Sequence, residues 1–127
     1  MSAEKPESWE AVLAGHRPEV VAAARAAEAA IRDALPEVVV EFDRGNGLLA
    51  FGLSMRMRDL LFALIPHAGW LNLQLADGAT LPDPAGLVEG TGKRIRHVKL
   101  RSPEAAAAPA VRALIDAQVE LRRASRG

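Results

Sequence analysis

The chain has 127 residues, of which 50% are hydrophobic and 25% are charged, and it contains no cysteine. This composition is typical of a globular domain, and the lack of cysteine excludes disulfides, thiolate nucleophiles, iron–sulfur clusters and cysteine zinc sites. Because 16 basic residues balance 16 acidic ones, the formal net charge is zero. A neutral chain argues against a general nucleic-acid coat and against a protein that binds anionic membranes.

The N-terminal part of the chain has the periodicity of helices. Over residues 18–35, apolar side chains recur every three or four positions and form one stripe, which predicts an amphipathic helix. Pro18 suits the first turn of this helix, where its missing N–H costs nothing, and Pro36 ends the helix. A shorter helix is predicted over residues 7–14.

From residue 37 the apolar side chains recur at every second position, as expected for strands with one buried face. Gly45, Asn46 and Gly47 supply the residues that a tight hairpin needs, so the first two strands are predicted to pair through this turn. The clearest alternation lies in residues 70–76, where leucines point one way and polar side chains the other. Five strands are predicted in all: 38–43, 48–53, 58–65, 70–76 and 94–101.

Residues 77–93 form a long connection without periodicity, with four glycines and two prolines. Connections of this length are often functional, although a stiff structural crossover would have the same composition. The acidic side chains of this loop, Asp77, Asp83 and Glu89, are expected to be solvated. After the last strand, Ser102 is a candidate helix cap, and the C-terminal helix is predicted to begin near Pro109.

The order helix, five mainly antiparallel strands, helix predicts a two-layer α+β sandwich in which the helices cover one face of the sheet. A single domain over residues 1–127 is expected, with its core in about 16–123. The opposite face of the sheet is predicted to be polar enough to face water. It would carry Trp70, Asn72, Gln74, His97 and Lys99. The polar N-terminus and the lack of a long apolar run predict a cytoplasmic protein without membrane contact.

The sequence contains no complete catalytic motif. Gly90-Thr91-Gly92-Lys93 resembles part of a phosphate loop, but it lacks the earlier glycine and the following Ser or Thr, and it precedes a strand. The three histidines share no metal-ligand spacing, and no serine lies in a nucleophile elbow. Each histidine is therefore expected to be structural or solvated, and a non-catalytic protein is favoured over an enzyme.

The charged residues nevertheless indicate a candidate binding region. Basic side chains are concentrated between Lys93 and Arg101, which makes the last strand a candidate surface for an anion or an acidic protein. Nucleic acid is disfavoured because Trp70 is the only aromatic residue near this strand. The open face of the sheet is the face that the helices are not predicted to cover. The 77–93 loop would complete a small-ligand site if it folded over this open face. The candidate residues are Trp70, Asn72, Asp83, Glu89, Lys93, Arg96, His97 and Lys99.

Several segments of the chain carry a family resemblance. They are Leu71-Asn72-Leu73, residues 78–84, residues 87–93 and Arg96-His97-Val98-Lys99, together with residues 16–20 and 111–115. In this combination they resemble the YdhG-like domains of unknown function, over about residues 16–120. The resemblance implies a bacterial, cytoplasmic protein from a family that mostly carries no assigned activity.

Some members of that family are labelled frataxin-like iron chaperones, so the resemblance also implies iron binding as a hypothesis. In frataxins the carboxylates that collect metal lie on the first helix and the first strand. The counterparts in this chain would be Glu28, Asp33, Glu37, Glu41 and Asp43. A solvated acidic face is the simpler interpretation of the same residues.

Two hypotheses follow. The first is a non-catalytic binding protein, either a frataxin-like intracellular iron chaperone or an adaptor for an acidic protein. The second is a small-ligand-binding protein or enzyme whose site the 77–93 loop forms over the open face of the sheet. A small anionic ligand would suit the basic last strand. No cofactor is predicted apart from the iron that the resemblance implies.

Overall fold

The computed structural model describes residues 5–126. The helices are α1 (Trp9–Ala14), α2 (Pro18–Ala34), α3 (Pro103–Ala106) and α4 (Pro109–Arg126). The strands are β1 (Val39–Asp43), β2 (Leu48–Gly52), β3 (Leu60–Pro66), β4 (Leu71–Leu75) and β5 (Arg96–Leu100). Within the described part of the chain, no helix has both the length and the apolar character needed to cross a membrane.

The five strands form an antiparallel sheet in the order β1-β2-β3-β4-β5. The register places Phe62 of β3 between Phe51 of β2 and Leu75 of β4. Leu73 of β4 lies between Leu64 of β3 and Val98 of β5 in the same way. The alternation that predicts the strands therefore brings their large apolar side chains onto one common face.

The helices cover that face, which confirms the predicted two-layer α+β sandwich. α2 lies against β3 and β4, and α4 lies against β3. Ala23, Ala24 and Ala27 of α2 are buried, and their small side chains let α2 approach its neighbours closely. Large side chains without significant exposure fill the space between the layers: Leu13, Ile31, Leu35, Phe51, Leu64, Leu71, Leu73, Leu75, Leu100 and Ile115.

Local sequence sets the starts of the short helices. Ser8 Oγ accepts a hydrogen bond from the Ala11 amide at 3.1 Å and caps α1. Ser102 Oγ accepts one from the Ala105 amide at 3.0 Å and caps α3, as its position in the sequence predicts. α4 begins at Pro109, also as predicted, because proline is tolerated in a first helical turn but not in a helix interior.

The third strand starts later than residue 58, where its sequence pattern predicts it. Met57–Asp59 forms a single 3₁₀ turn, and β3 begins only after this turn. A β-bulge at Gly52 shifts β2 against β3, and the Leu53 amide donates a hydrogen bond to the Asp59 carbonyl at 2.9 Å. The segment between the two strands therefore folds back on the sheet instead of extending β3.

Residues 77–93 pass beside the helix layer and then follow the outer edge of β5. Leu81 is buried next to α4, and Leu87 packs against the core. Glu89 pairs with His97 in an isolated antiparallel bridge, with N···O distances of 2.7 and 3.1 Å between the main chains. The loop thus covers the edge of β5 and borders the other face of the sheet.

Candidate ligand site on the open face of the sheet

The open face is the side of the sheet opposite to the helices α1 to α4, and its β4–β5 half is polar. Asn72 lies opposite Lys99, and Gln74 lies opposite His97. These side chains alternate with the buried leucines of β4, so they point away from the helices, as predicted. All four are partly exposed, which makes this half accessible to solvent.

His67, Trp70, Asn72, Glu89 and Lys99 form a polar cluster at one end of this half. The rings of His67 and Trp70 stack, with their centroids 5.0 Å apart and an angle of 16° between their planes. Trp70 Nε1 donates to Asn72 Oδ1 at 2.9 Å, and Nδ2 of the same amide lies 3.2 Å from His67 Nε2. The Asn72 amide therefore fixes the orientation of both rings.

Lys99 joins the polar cluster to the 77–93 loop. Its ammonium nitrogen lies 4.8 Å from the centroid of the Trp70 ring, in a cation–π contact. The same nitrogen lies 3.7 Å from a carboxylate oxygen of Glu89, which belongs to the loop segment paired with β5. The loop thus supplies one charged member of the cluster.

The surroundings of His67 favour its neutral form. Burial lowers the pKa of His67, and the nearby His16, His97 and Lys99 lower it further. A neutral ring also fits the hydrogen bond, because the Asn72 amide donates to a ring nitrogen that carries no proton. The ammonium group of Lys99 near His67 makes this histidine an unfavourable ligand for a metal cation.

The β2–β3 half of the open face forms an apolar groove of about 530 Å³. Ala50 and Ala63 face each other on the two strands, and their small side chains leave the space in its floor. Met57 and Ile95 also line the groove and are 82% and 51% exposed. The other apolar residues in the lining are Leu48, Leu60, Leu61, Phe62 and Ala76.

This apolar half is missing from the sequence prediction, which describes the open face as polar and assigns to it residues of β4 and β5 together with Trp70. A signal for it exists, because residues 60–65 are apolar without interruption. A strand that is apolar on both sides is typical of a sheet with both faces covered. Leu61 and Ala63, both on the open face, are only 1% and 5% exposed, in agreement with that signal.

Beside the groove, Asp77 is the centre of a buried network. Its carboxylate accepts hydrogen bonds from Arg94 at 2.8 Å, from Gln118 at 2.7 Å and from Arg122 at 2.9 Å. The Asp77 amide donates to Oε1 of Gln118 at 2.7 Å. Asp77 is 8% exposed, so the expectation that it is solvated is wrong. Gln118 and Arg122 come from α4, and Arg94 lies 17 positions further along the chain, so the loop's composition does not reveal these partners.

Arg122 extends this network to the start of β3. Its Nη1 donates to the carbonyl of Leu60 at 3.0 Å and also to the carbonyl of Arg58. The guanidinium therefore joins α4 to the segment that precedes β3, while Asp77 joins α4 to the end of β4. This places a rigid, hydrogen-bonded framework at one end of the apolar groove.

The charge of Asp77 makes stability depend on pH. Burial opposes ionisation, but the hydrogen bonds from Arg94, Gln118 and Arg122 outweigh it and lower the pKa of Asp77 from 3.8 to about 2. Ionised Asp77 therefore stabilises the fold above about pH 4, and this contribution is lost as the pH falls towards about 2. In urea denaturation, we expect the stability difference between wild type and Asp77→Asn to shrink between about pH 5 and pH 2. A constant difference over this range would contradict the low pKa.

The remaining candidates from the basic strand and its loop lie outside the polar cluster. The Asp83 carboxylate accepts hydrogen bonds from two successive loop amides, at 2.8 and 2.9 Å. Arg96 Nε donates to the Gly92 carbonyl at 2.9 Å, and Lys93 is exposed. Asp83 and Arg96 thus shape the loop, whereas Trp70, Asn72, Glu89, His97 and Lys99 come together on and beside the open face.

The five acidic residues that the family resemblance implies for iron are distributed over α2, β1 and the turn between them. Three are held by arginines at N···O distances of 2.5–2.9 Å: Glu28 by Arg32, Asp33 by Arg112 and Glu37 by Arg123. Asp43 accepts hydrogen bonds from the amide and side chain of Asn46, and Glu41 is exposed. Among residues 5–126, no three His, Asp or Glu side chains are grouped so that they could hold a metal ion.

No family model, curated protein or solved structure matches the chain. The resemblance to the YdhG-like domains therefore stays a prediction based on the segments quoted above. The structure defines the class of the protein as a two-layer α+β sandwich in which the helices α1 to α4 leave one face of the sheet uncovered. Its candidate site consists of the apolar groove and the polar cluster on that face.

Proposed function

We propose that the protein binds a small molecule in the apolar groove and does not transform it. The groove itself carries this proposal, because about 530 Å³ lies in the range of cavities that hold small ligands. Apolar side chains form most of its lining, and Gln74 adds a polar group on β4. Apolar walls with a few polar groups can bury the body of a ligand and still fix its orientation.

The exposure of two side chains in the lining supports the proposal that the groove binds a ligand. Met57 is 82% exposed and Ile95 is 51% exposed, so folding leaves both in water. Removal of apolar surface from water is favourable by about 25 cal/mol of free energy per Å². A ligand with an apolar body would gain this contribution by covering the two side chains. An apolar depression bordered by polar side chains is also the usual character of a binding surface.

The chemistry of the groove favours binding without catalysis. Of the described residues that line it, none is a histidine, serine or threonine. The side chains that most often act as nucleophile or general base are therefore missing. Asp43, the carboxylate in the lining, is engaged with the amide and side chain of Asn46.

The polar cluster lies next to the groove, and hydrogen bonds hold its side chains in place. Gln74 lines the groove and lies opposite His97, two positions along the strands from the Asn72–Lys99 pair on the same face. Because Asn72 holds the rings of His67 and Trp70, this border is fixed before any ligand arrives. Trp70, Asn72, His97 and Lys99 are thus proposed as the polar rim of a site whose floor is apolar.

The iron-chaperone hypothesis draws its support from the family resemblance. Three of its five carboxylates are held by arginines, and a fourth closes a turn, so the described geometry favours the groove over the acidic residues. The adaptor hypothesis draws on the basic residues of the last strand, of which Lys99 is engaged with Glu89. Both stay predictions.

Titration with the neutral, fluorescent probe N-phenyl-1-naphthylamine tests the proposal. We expect saturable binding with increased fluorescence, and at least about tenfold weaker binding by Ala50→Leu, because the larger side chain fills the floor of the groove. Ala29→Leu is the matched control, since Ala29 is exposed on α2. Thermal denaturation would show that both variants are folded. Equal binding by wild type and Ala50→Leu, or no binding by wild type, would contradict the proposal.

A further inference from the structure

We infer that the ligand is an amphipathic anion, whose negative group lies at the Arg58–Arg94 end of the apolar groove. This inference rests on the proposed function and adds the chemical class of the ligand. It follows from three observations: the placement of the charged lining residues, the exposure of their side chains, and the length of the apolar floor between the two ends.

The strand register separates the charges along the groove. Arg58 precedes β3, whose first residue lies opposite Gly52 at the end of β2. Arg94 precedes β5, whose first residue lies opposite the last residue of β4. Asp43 instead lies opposite Leu48, the first residue of β2. Because neighbouring strands are antiparallel, both arginines belong to one end of the groove and the carboxylate to the other.

The two arginines differ from Arg122 in what they offer to a ligand. Arg122 is buried, and its guanidinium is committed to Asp77 and to two main-chain carbonyls. Arg94 donates from one nitrogen to Asp77, while 72% of its side-chain surface is exposed. Arg58 is exposed, and its main-chain carbonyl accepts a hydrogen bond from Arg122. An anion can therefore reach the guanidinium groups of Arg58 and Arg94, which bind carboxylates with paired hydrogen bonds.

The opposite end of the groove disfavours a second negative group. Hydrogen bonds from the Asn46 side chain and amide lower the pKa of Asp43, which is therefore ionised at neutral pH. The floor between the two ends follows the five residues of β2 from Leu48 to Gly52, whose four residue-to-residue steps span about 13 Å. This length suits a single apolar chain or a narrow aromatic body with one anionic end.

Displacement of N-phenyl-1-naphthylamine by matched ten-carbon compounds tests the inference. We expect decanoate to displace the probe at least about tenfold more strongly than decanol, and decylammonium to displace it most weakly. Two variants remove the proposed anion contacts: Arg58→Gln and the double variant Arg58→Gln/Arg94→Gln. In both, we expect the affinity for decanoate to fall to the affinity for decanol, while the affinity for decanol stays that of the wild type. The single variant keeps the Asp77 network intact, which guards against a loss of folding. Arg17→Gln, at an exposed arginine next to α2, is the control.

The outcomes separate this inference from the proposed function. If decanol and decanoate displace the probe equally, or if decylammonium is the strongest competitor, the groove binds ligands but the anionic class is wrong. If the preference for decanoate survives in both arginine variants, the assigned end of the groove is wrong. If the probe itself does not bind to the wild-type protein, the proposed function fails first.

Discussion

Arg122→Met is expected to lower the free energy of unfolding by about 3–5 kcal/mol, as is typical when one partner of a buried ion pair is removed. Methionine keeps the length of the apolar stem but leaves the carboxylate of Asp77 without its buried cation. The carbonyls of Arg58 and Leu60 also lose their donor. Urea denaturation at pH 7, monitored by circular dichroism, measures the loss.

Arg123→Met is the matched control, because Arg123 is the next residue of α4 and also forms an ion pair. Its partner is Glu37, and the two side chains are 49% and 61% exposed. Exposed pairs contribute about 0–1 kcal/mol, so this variant should be nearly as stable as the wild type. Similar losses in both variants would show that the buried network does not stabilise the fold as its geometry indicates.

The same network explains why a groove is maintained on the open face. Arg122 fixes the main chain before β3, and Asp77 fixes the main chain after β4. Both segments lie at the end of the groove where Arg58 and Arg94 are found. A weakened network should therefore loosen the proposed anion-binding end before it affects the leucine-rich core.

The sandwich was predictable because its elements are encoded locally. Leu71, Leu73 and Leu75 can share one face in only one register, since a shift of one residue would expose all three. Pro18 and Pro109 mark helix starts through a property of their own rings. The start of β3 was not predictable from periodicity, because the 3₁₀ turn before it depends on a bulge in another strand.

The candidate site was predictable only in part. Alternation along β4 and β5 places Asn72, Gln74, His97 and Lys99 on the open face, and the structure agrees. The partners of Asp77 and the depth of the groove come from contacts between distant segments, which periodicity does not reveal. Gln118, for example, lies 41 positions from Asp77 and is completely buried.

Gly52→Ala is expected to lower the free energy of unfolding by about 3 kcal/mol, because the backbone leaves no room for a β-carbon. A β-carbon there would lie 2.5 Å from the Asp59 carbonyl oxygen and 2.7 Å from that of Ser54. Both are main-chain atoms of the segment that folds back at the bulge, so that segment itself must move. Thermal and urea denaturation measure the loss, and Gly69→Ala is the control because a β-carbon at Gly69 meets no atom within 4 Å.

The bulge also positions the groove, so the same variant should bind ligand more weakly. Met57 and Arg58 belong to the segment that must move, and both line the groove. We expect Gly52→Ala to lose affinity for N-phenyl-1-naphthylamine at temperatures where it is still folded, whereas Gly69→Ala binds like the wild type. Undiminished affinity in a destabilised Gly52→Ala protein would mean that the folded-back segment does not form part of the site. Loss of both stability and affinity would link a local feature of β2 to the binding function of the open face.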